Sequence, residues 1–291
     1  MADVRPFLAN VLRGRSVSPG RIEEVVRHYA VLGGRSPLTE ITFRQAAALR
    51  ALLERDGPRL PVYVGMRNWD PYLRDTLAAM QRDRVRRAIG LILAAQQSDA
   101  SWGRYARDVA QARAELEGAA PQVDFAPGWH AHPLFIDAVV DRTRRALSSL
   151  AGDDRAGVRL IFTAHSIPAA MAAAAPYEAQ LREGAALVTE QLGFSEPLLA
   201  YQSRSGDPRE PWLEPDILET VRDQAARGAR HLLVVPIGFV CDHVEVLYDL
   251  DVEAKQVAQA AGVGFTRAQT VNDHPSFIRM LAAVVGASVQ R

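Results

Sequence analysis

His165 stands in the stretch Phe162-Thr163-Ala164-His165-Ser166-Ile167-Pro168, directly after the apolar run Leu160-Ile161-Phe162. Open α/β sheets bind ligands beyond the carboxyl ends of their strands, and this run places the histidine there. Its imidazole can take a proton near neutral pH or offer a nitrogen lone pair to a metal. Position alone also allows a half-buried histidine that closes a turn. A second group lies in the run from Pro236 to Glu253, where Glu245, Asp249 and Glu253 are spaced i, i+4, i+8. On an α-helix that spacing lines three carboxylates along one side at about 6 Å rise per step. They repel one another, and a passing cation would relieve them; the alternative is a solvated acidic face. Glu245 falls in the first helical turn on the pocket side of a strand, where burial would make it a usable proton acceptor or donor. His243 is two residues away and off that face, so it reads as a packing residue. Cys241 reads as a small buried hydrophobe.

The polar run Tyr201 to Leu213 ends near Trp212, a flat wall for a planar ligand, with Arg204 and Arg209 able to meet acid groups on it. Trp212 can equally plug the space between loop and helix. Ser98, Trp102 and Tyr105 form a second aromatic lip. No GxxxxGK[ST] phosphate loop, HExxH or GxSxG motif is present, and Gly33-Gly34 does not extend to a GxGxxG fingerprint. A histidine, carboxylates, aromatics and arginines without a nucleotide motif suit a planar acidic ligand and a divalent metal.

These groups need a scaffold, and the apolar runs supply one. Strands are expected at 61 to 65, 88 to 95, 158 to 166, 198 to 203, 231 to 239 and 263 to 271. Helices are expected near 20 to 31, 39 to 55, 70 to 83, 101 to 115, 131 to 149, 174 to 191, 214 to 227, 243 to 260 and 274 to 285. Strands without polar alternation, separated by amphipathic helices, predict a parallel α/β architecture. Asp70, Asp242 and Asp273 stand as helix caps. The Ala, Pro and Gly-rich segment 119 to 130 precedes a domain boundary near 137, within the following helix. Domains of 1 to 137 and 138 to 291 carry the same kind of βα unit, with the last helix packing back on the first domain.

The 291 residues carry 34 basic and 34 acidic side chains, with no basic block of the kind a nucleic-acid binder needs. Lys255 is the one lysine, so the basic charge is nearly all arginine. A single cysteine can form no internal disulfide and hold no iron-sulfur cluster, which predicts a reduced intracellular protein. No apolar run approaches the length of a membrane span.

The motifs GGRSPLTEIT (33 to 42), PVYVGMRNWDPYLRDTL (61 to 77), FTAHSIP (162 to 168), YQSRSGDPREPWLEPD (201 to 216), IGFVCDHVEVLYDLDVEA (237 to 254) and NDHPSFI (272 to 278) run nearly end to end. In that order they resemble the ferrochelatases, which insert Fe(II) into a porphyrin in haem synthesis. The resemblance implies a chelatase-like α/β fold of two Rossmann-like domains, each on a parallel four-stranded sheet, with porphyrin in the cleft between them. It makes His165 the pocket histidine and first acceptor of the pyrrole protons. Glu245 then faces it across the macrocycle, to relay protons or position the metal. Asp249 and Glu253 match an outward acidic line that binds a second divalent ion in some members, so His165, Glu245, Asp249 and Glu253 form the expected metal set. Arg13, Ser36, Arg67, Tyr105 and Trp212 are the expected substrate contacts. Asn68 takes a position where some relatives have a histidine, and is not assigned as a ligand.

The chain starts at a segment like the family's first helix, so its first sheet is expected without the family's first strand. The resemblance further implies Fe(II) as substrate with no tightly bound cofactor, and a cytoplasmic monomer touching other haem-pathway enzymes transiently. Arginines near the rim favour coproporphyrin III, with four propionates, over protoporphyrin IX, with two. The rival readings are a chelatase for another tetrapyrrole or metal, such as cobalt, and a non-catalytic porphyrin or haem carrier.

Overall fold

The structure, a computed structural model, describes residues 1–13, 19–117, 120–152, 157–205 and 209–290. Its second half follows the sequence closely. Strand β3 (Val158–His165) carries Leu160 to Ala164 at no more than 3% exposure, as an apolar run with helices on both faces must. It is flanked by β4 (Leu198–Gln202) and β5 (His231–Val235), with β6 (Gly264–Arg267) beyond β5. All pairings are parallel, in the order β4-β3-β5-β6. The connections include α7 (Ala169–Ala173) and α8 (Tyr177–Leu192), then α9 (Ile217–Ala226), then α10 (Val244–Tyr248) and α11 (Lys255–Ala260).

The first half contains α1 (Val4–Val11), α2 (Pro19–Val31), α3 (Leu38–Asp56), α4 (Leu73–Arg82) and α5 (Arg104–Glu115). Its sheet falls short of the family's four strands by more than the first strand expected to be absent: among the described residues only β1 (Arg87–Gly90) and β2 (Gln122–Phe125) pair, also in parallel. The expected strand at 61 to 65 has no strand pairing. Its carbonyls are taken by side chains instead, Val62 O by Arg50 at 2.6 Å and Val64 O by the Thr76 hydroxyl at 2.7 Å. In the second sheet the first strand of the half lies between the second and third. Strand β2 arises inside the Ala, Pro and Gly-rich segment 119 to 130, where no strand is expected because four residues give too short a pattern to detect.

Helix α6 (Pro133–Ser148) runs unbroken through residue 137, and α12 (Pro275–Val289) packs against both α6 and α3. One core extends from Leu49 and Leu53 on α3 through Trp129 to Leu233 on β5 and Phe277 on α12. The rings of Trp129, Phe135 and Phe277 meet at centroid distances of 5.2 to 6.3 Å. Buried Gln45 on α3 adds a polar tie, its amide donating to Asn272 O at 2.8 Å and Val240 O at 3.2 Å.

Three expected aspartate caps are corrected. Helix α4 starts after Tyr72, not Asp70, with no side-chain cap. Helices α10 and α12 are capped by His243 and His274, each accepting the N–H two residues on through Nδ1. Asp242 is unavailable as a cap because Arg267 and Asn272 hold its carboxylate.

Candidate active site

His165 is the last residue of β3, in register with Gln202 on β4. Its backbone is fixed from two sides: the Tyr177 hydroxyl donates to His165 O at 2.9 Å, and Ser166 N donates to Gln202 O at 2.8 Å. The ring Nδ1 hydrogen-bonds the Ser166 carbonyl, which can only accept. Nδ1 therefore carries a hydrogen, and in the neutral ring Nε2 keeps the lone pair. Nε2 lies 3.9 Å from Glu245 Oε2, within ion-pair range but too far for a hydrogen bond.

The two meet because β3 and β5 are neighbours and the loop after β5 lies flat on the end of β3. Gly238 N donates to Thr163 O at 3.0 Å, and a Cβ on Gly238 would fall 2.5 Å from Ala164 Cβ and 2.7 Å from Ala164 Cα. Only a glycine permits that approach. Gly238→Ala is expected to cost about 1–3 kcal/mol by overpacking. It should also slow the chemistry about tenfold by moving Glu245 off His165. Urea midpoints and turnover on one preparation check both.

The acidic line departs from the expected single α-helix. Between α10 and α11 the chain makes a π-helical turn, Asp249–Ala254, whose wider spacing shifts the side chains beyond it. Glu245 is 53% exposed, so the burial expected for it is not found. Asp249 is instead the buried acid, at 8% exposure. Its carboxylate accepts from the Ser203 hydroxyl and, at 3.4 Å, from Gln202 Nε2, which also reaches Glu245 O at 3.2 Å. Burial pushes Asp249 up to about 7, reinforced by Glu245 and Glu253 and opposed by the Ser203 and Gln202 hydrogen bonds. Glu253 is half-buried and also pushed up, first by burial and then by Glu24. A solvated acidic face thus describes Glu245 better than Asp249.

Helix α2 brings groups the sequence reading missed. The His28 ring stacks on Tyr248 at 3.6 Å and 10°, and burial holds its pKa down against the pull of Glu24 and Glu245. Burial, with Glu245, pushes the Tyr29 hydroxyl up. These residues are more than 200 positions from Glu245, so no local spacing could have signalled them.

Trp212 lies against the histidine segment. Leu213 N donates to Ile167 O at 3.0 Å and Ala169 N to Pro211 O at 2.9 Å, while the Trp212 indole Nε1 is buried with no hydrogen-bond partner among the described residues. Residues 206 to 208 of that loop lie outside the described residues. Arg67 sits over the Tyr105 ring, 5.2 Å from its centroid, and its Nε pairs with Asp108. Burial pushes the Tyr105 hydroxyl up. Arg13 is exposed and donates to Asn10, whose own amide reaches Asn68 O and the Tyr72 hydroxyl. Ser36 accepts Leu38 N at 3.3 Å, at the start of α3. The structure thus joins His165, Glu245, Asp249 and Trp212 around the end of the second sheet and pairs Arg67 with Tyr105, while Arg13 and Ser36 make bonds of their own.

Cys241 is buried, with its thiol pushed up to about 12, first by burial and then by Asp242, so it stays protonated. Among the described residues no three His, Cys, Asp or Glu side chains are arranged to hold a metal ion. No helix among them is long and apolar enough to cross a membrane.

The family model described as Ferrochelatase matches residues 1–289. A protein from Nocardia farcinica named coproporphyrin III ferrochelatase is 43% identical over 291 residues, 97% of this chain and 83% of the relative. A ferrochelatase from Rhodopirellula baltica is 41% identical over 284 residues, 97% of this chain and 81% of the relative. Among solved structures, SirB from Bacillus subtilis with Fe3+ superposes with a TM-score of 0.59 at 11% identity, covering 86% of this chain and 92% of that one. CbiX, the terminal enzyme of sirohaem biosynthesis in denitrifying bacteria, does so at 0.53 and 17%, covering 87% and 93%. At those identities the two structures speak for the fold alone, and both are chelatase-like.

Proposed function

As the chain belongs to the ferrochelatase family, we propose that it inserts Fe(II) into a porphyrin in haem synthesis, formally a lyase reaction that releases two protons. Coproporphyrin III is favoured over protoporphyrin IX, in keeping with the names of relatives 40–43% identical. The observation that carries the reading is the His165 imidazole, fixed through Nδ1 with Nε2 turned to Glu245 at the joined ends of β3 and β5. A free-base porphyrin must lose two pyrrole protons and pucker so that its nitrogens can meet the entering ion. Binding energy from the ring faces and propionates lowers the cost of that distortion. His165 Nε2 accepts the two pyrrole protons in turn, giving the first up to solvent before the second leaves, while Glu245 on the opposite face relays protons from that side or steers the cation.

A flat ring between the two needs roughly 3.5 Å on each face, about 7 Å in all. At 3.9 Å the pair must part to admit it. Glu245 is the side that gives, being exposed on a short helix. Asp249 and Glu253 continue the metal's path outward. Trp212 walls the macrocycle, with Tyr105, Arg67, Arg13 and Ser36 serving the rim. No resident cofactor is required, and the enzyme works as a cytoplasmic monomer built of two halves that meet in α6.

Anaerobic assays with Fe(II) and each porphyrin, followed by absorbance, test the reading. Faster insertion into coproporphyrin III is expected. Porphyrin binding with no acceleration over the uncatalysed reaction would make the protein a carrier and overturn it. Glu245→Gln keeps the shape and removes the charge, and should lower turnover about tenfold to a hundredfold with little change in porphyrin affinity.

A further inference from the structure

Arg267, the last residue of β6, is 9% exposed and lies between two carboxylates. Its NH1 donates to Asp242 Oδ1 at 2.9 Å, while Nε and NH2 form a fork on Asp251, at 2.8 and 2.9 Å. Asp242 stands just ahead of α10, which carries Glu245, and Asp251 lies within the π-helical turn that carries Asp249 and Glu253. One guanidinium thus joins the start of the acidic segment to its irregular middle. The Asp242 end is anchored further. Asp242 N donates to Asn272 Oδ1 at 2.9 Å, Asn272 Nδ2 returns to Asp242 Oδ2 at 3.1 Å, and Gln45 holds Asn272 O from the other half.

A π-helical turn is rare and leaves the regular i→i−4 ladder, so contacts outside the helix must hold it. A buried arginine between carboxylates adds little net stability over an apolar filling, and its best-attested use is to fix a register. We propose that Arg267 is a positioning residue for metal delivery, holding the π-helical turn so that Glu245, Asp249 and Glu253 keep the spacing along which the cation moves. This rests on the metal-insertion reading above.

Asp251→Asn and Arg267→Lys test it. The first removes the charge of one carboxylate and leaves the Asp242 pair, and the second keeps the charge but loses the planar fork. Each is expected to raise the apparent KM for Fe(II) about threefold or more, with kcat and the porphyrin KM nearly unchanged. Hydrogen exchange without substrates should quicken at amides 249 to 254 in both. A folded Asp251→Asn protein with the parent's KM for Fe(II) overturns the proposal, as does a raised KM with unaltered exchange. A lowered melting temperature with parent kinetics also overturns it, by reducing the contact to stability. Should Arg267→Lys fail to fold, Asp251→Asn carries the test alone. If the parent inserts no metal, the functional reading falls first. Exchange then decides the positioning: quickening confined to 249 to 254 supports it, and unchanged exchange in both variants overturns it.

Discussion

His165→Ala is expected to insert metal about a thousandfold more slowly than the parent, within the range a positioned acid–base group supplies, and still to bind porphyrin. The fold survives because the bonds that shape this corner use the backbone: Tyr177 donates to His165 O and Ser166 N to Gln202 O, and neither needs the imidazole. The ring is 31% exposed, so its removal opens little buried volume. Exogenous imidazole should enter the vacated space and restore part of the rate without changing porphyrin affinity. Single-turnover absorbance with fluorescence titration of porphyrin checks all three points. Parent-like turnover in the folded variant would remove His165 from the mechanism.

Asp249→Asn is expected to gain stability relative to the parent as pH rises. An acid whose folded pKa is about 7, against an ordinary value near 4 when unfolded, binds its proton more tightly in the folded protein. The folded state then holds more protons between those values, so this group's contribution makes stability fall from about pH 4 to about pH 7 and level off above. Asparagine has no such titration. The difference between variant and parent should therefore grow by roughly 2.5 kcal/mol from pH 5 to pH 8. Denaturant midpoints at the two pH values measure it, and an equal difference at both would contradict the assignment of Asp249 as a buried acid.

The second half of the fold was legible because β3, β4 and β5 are apolar runs too hydrophobic to be anything but buried strands. The first half was less so. Residues 61 to 65 have a strand's composition but no strand pairing among the described residues, and β2 hides in a composition typical of loops. The histidine caps were missed because His243 and His274 each follow an aspartate, which sequence rules prefer. The π-helical turn has no propensity signature, and the i, i+4, i+8 spacing pointed to a regular helix. Position marked His165, but its closeness to Glu245 depends on β3 and β5 being neighbours, which follows from topology. The family motifs supplied that pairing, while Glu24 and His28 came into view only when α2 packed against α10.

The short first sheet also bears on how molecules meet one another. β1 pairs with β2 on one side, and among the described residues no strand covers its other side. Such an edge is a template for any extended chain that comes by. Arg84 and Arg86 stand exposed at its approach, and Arg87 at its start is joined to Asp124 on the neighbouring strand. Positive charge there repels a second copy presenting the same edge. Salt weakens that repulsion within a Debye length of about 8 Å at physiological strength and less above it. Self-association through the first half should therefore increase with ionic strength, and neutralising Arg84 and Arg86 should lower solubility even in dilute buffer.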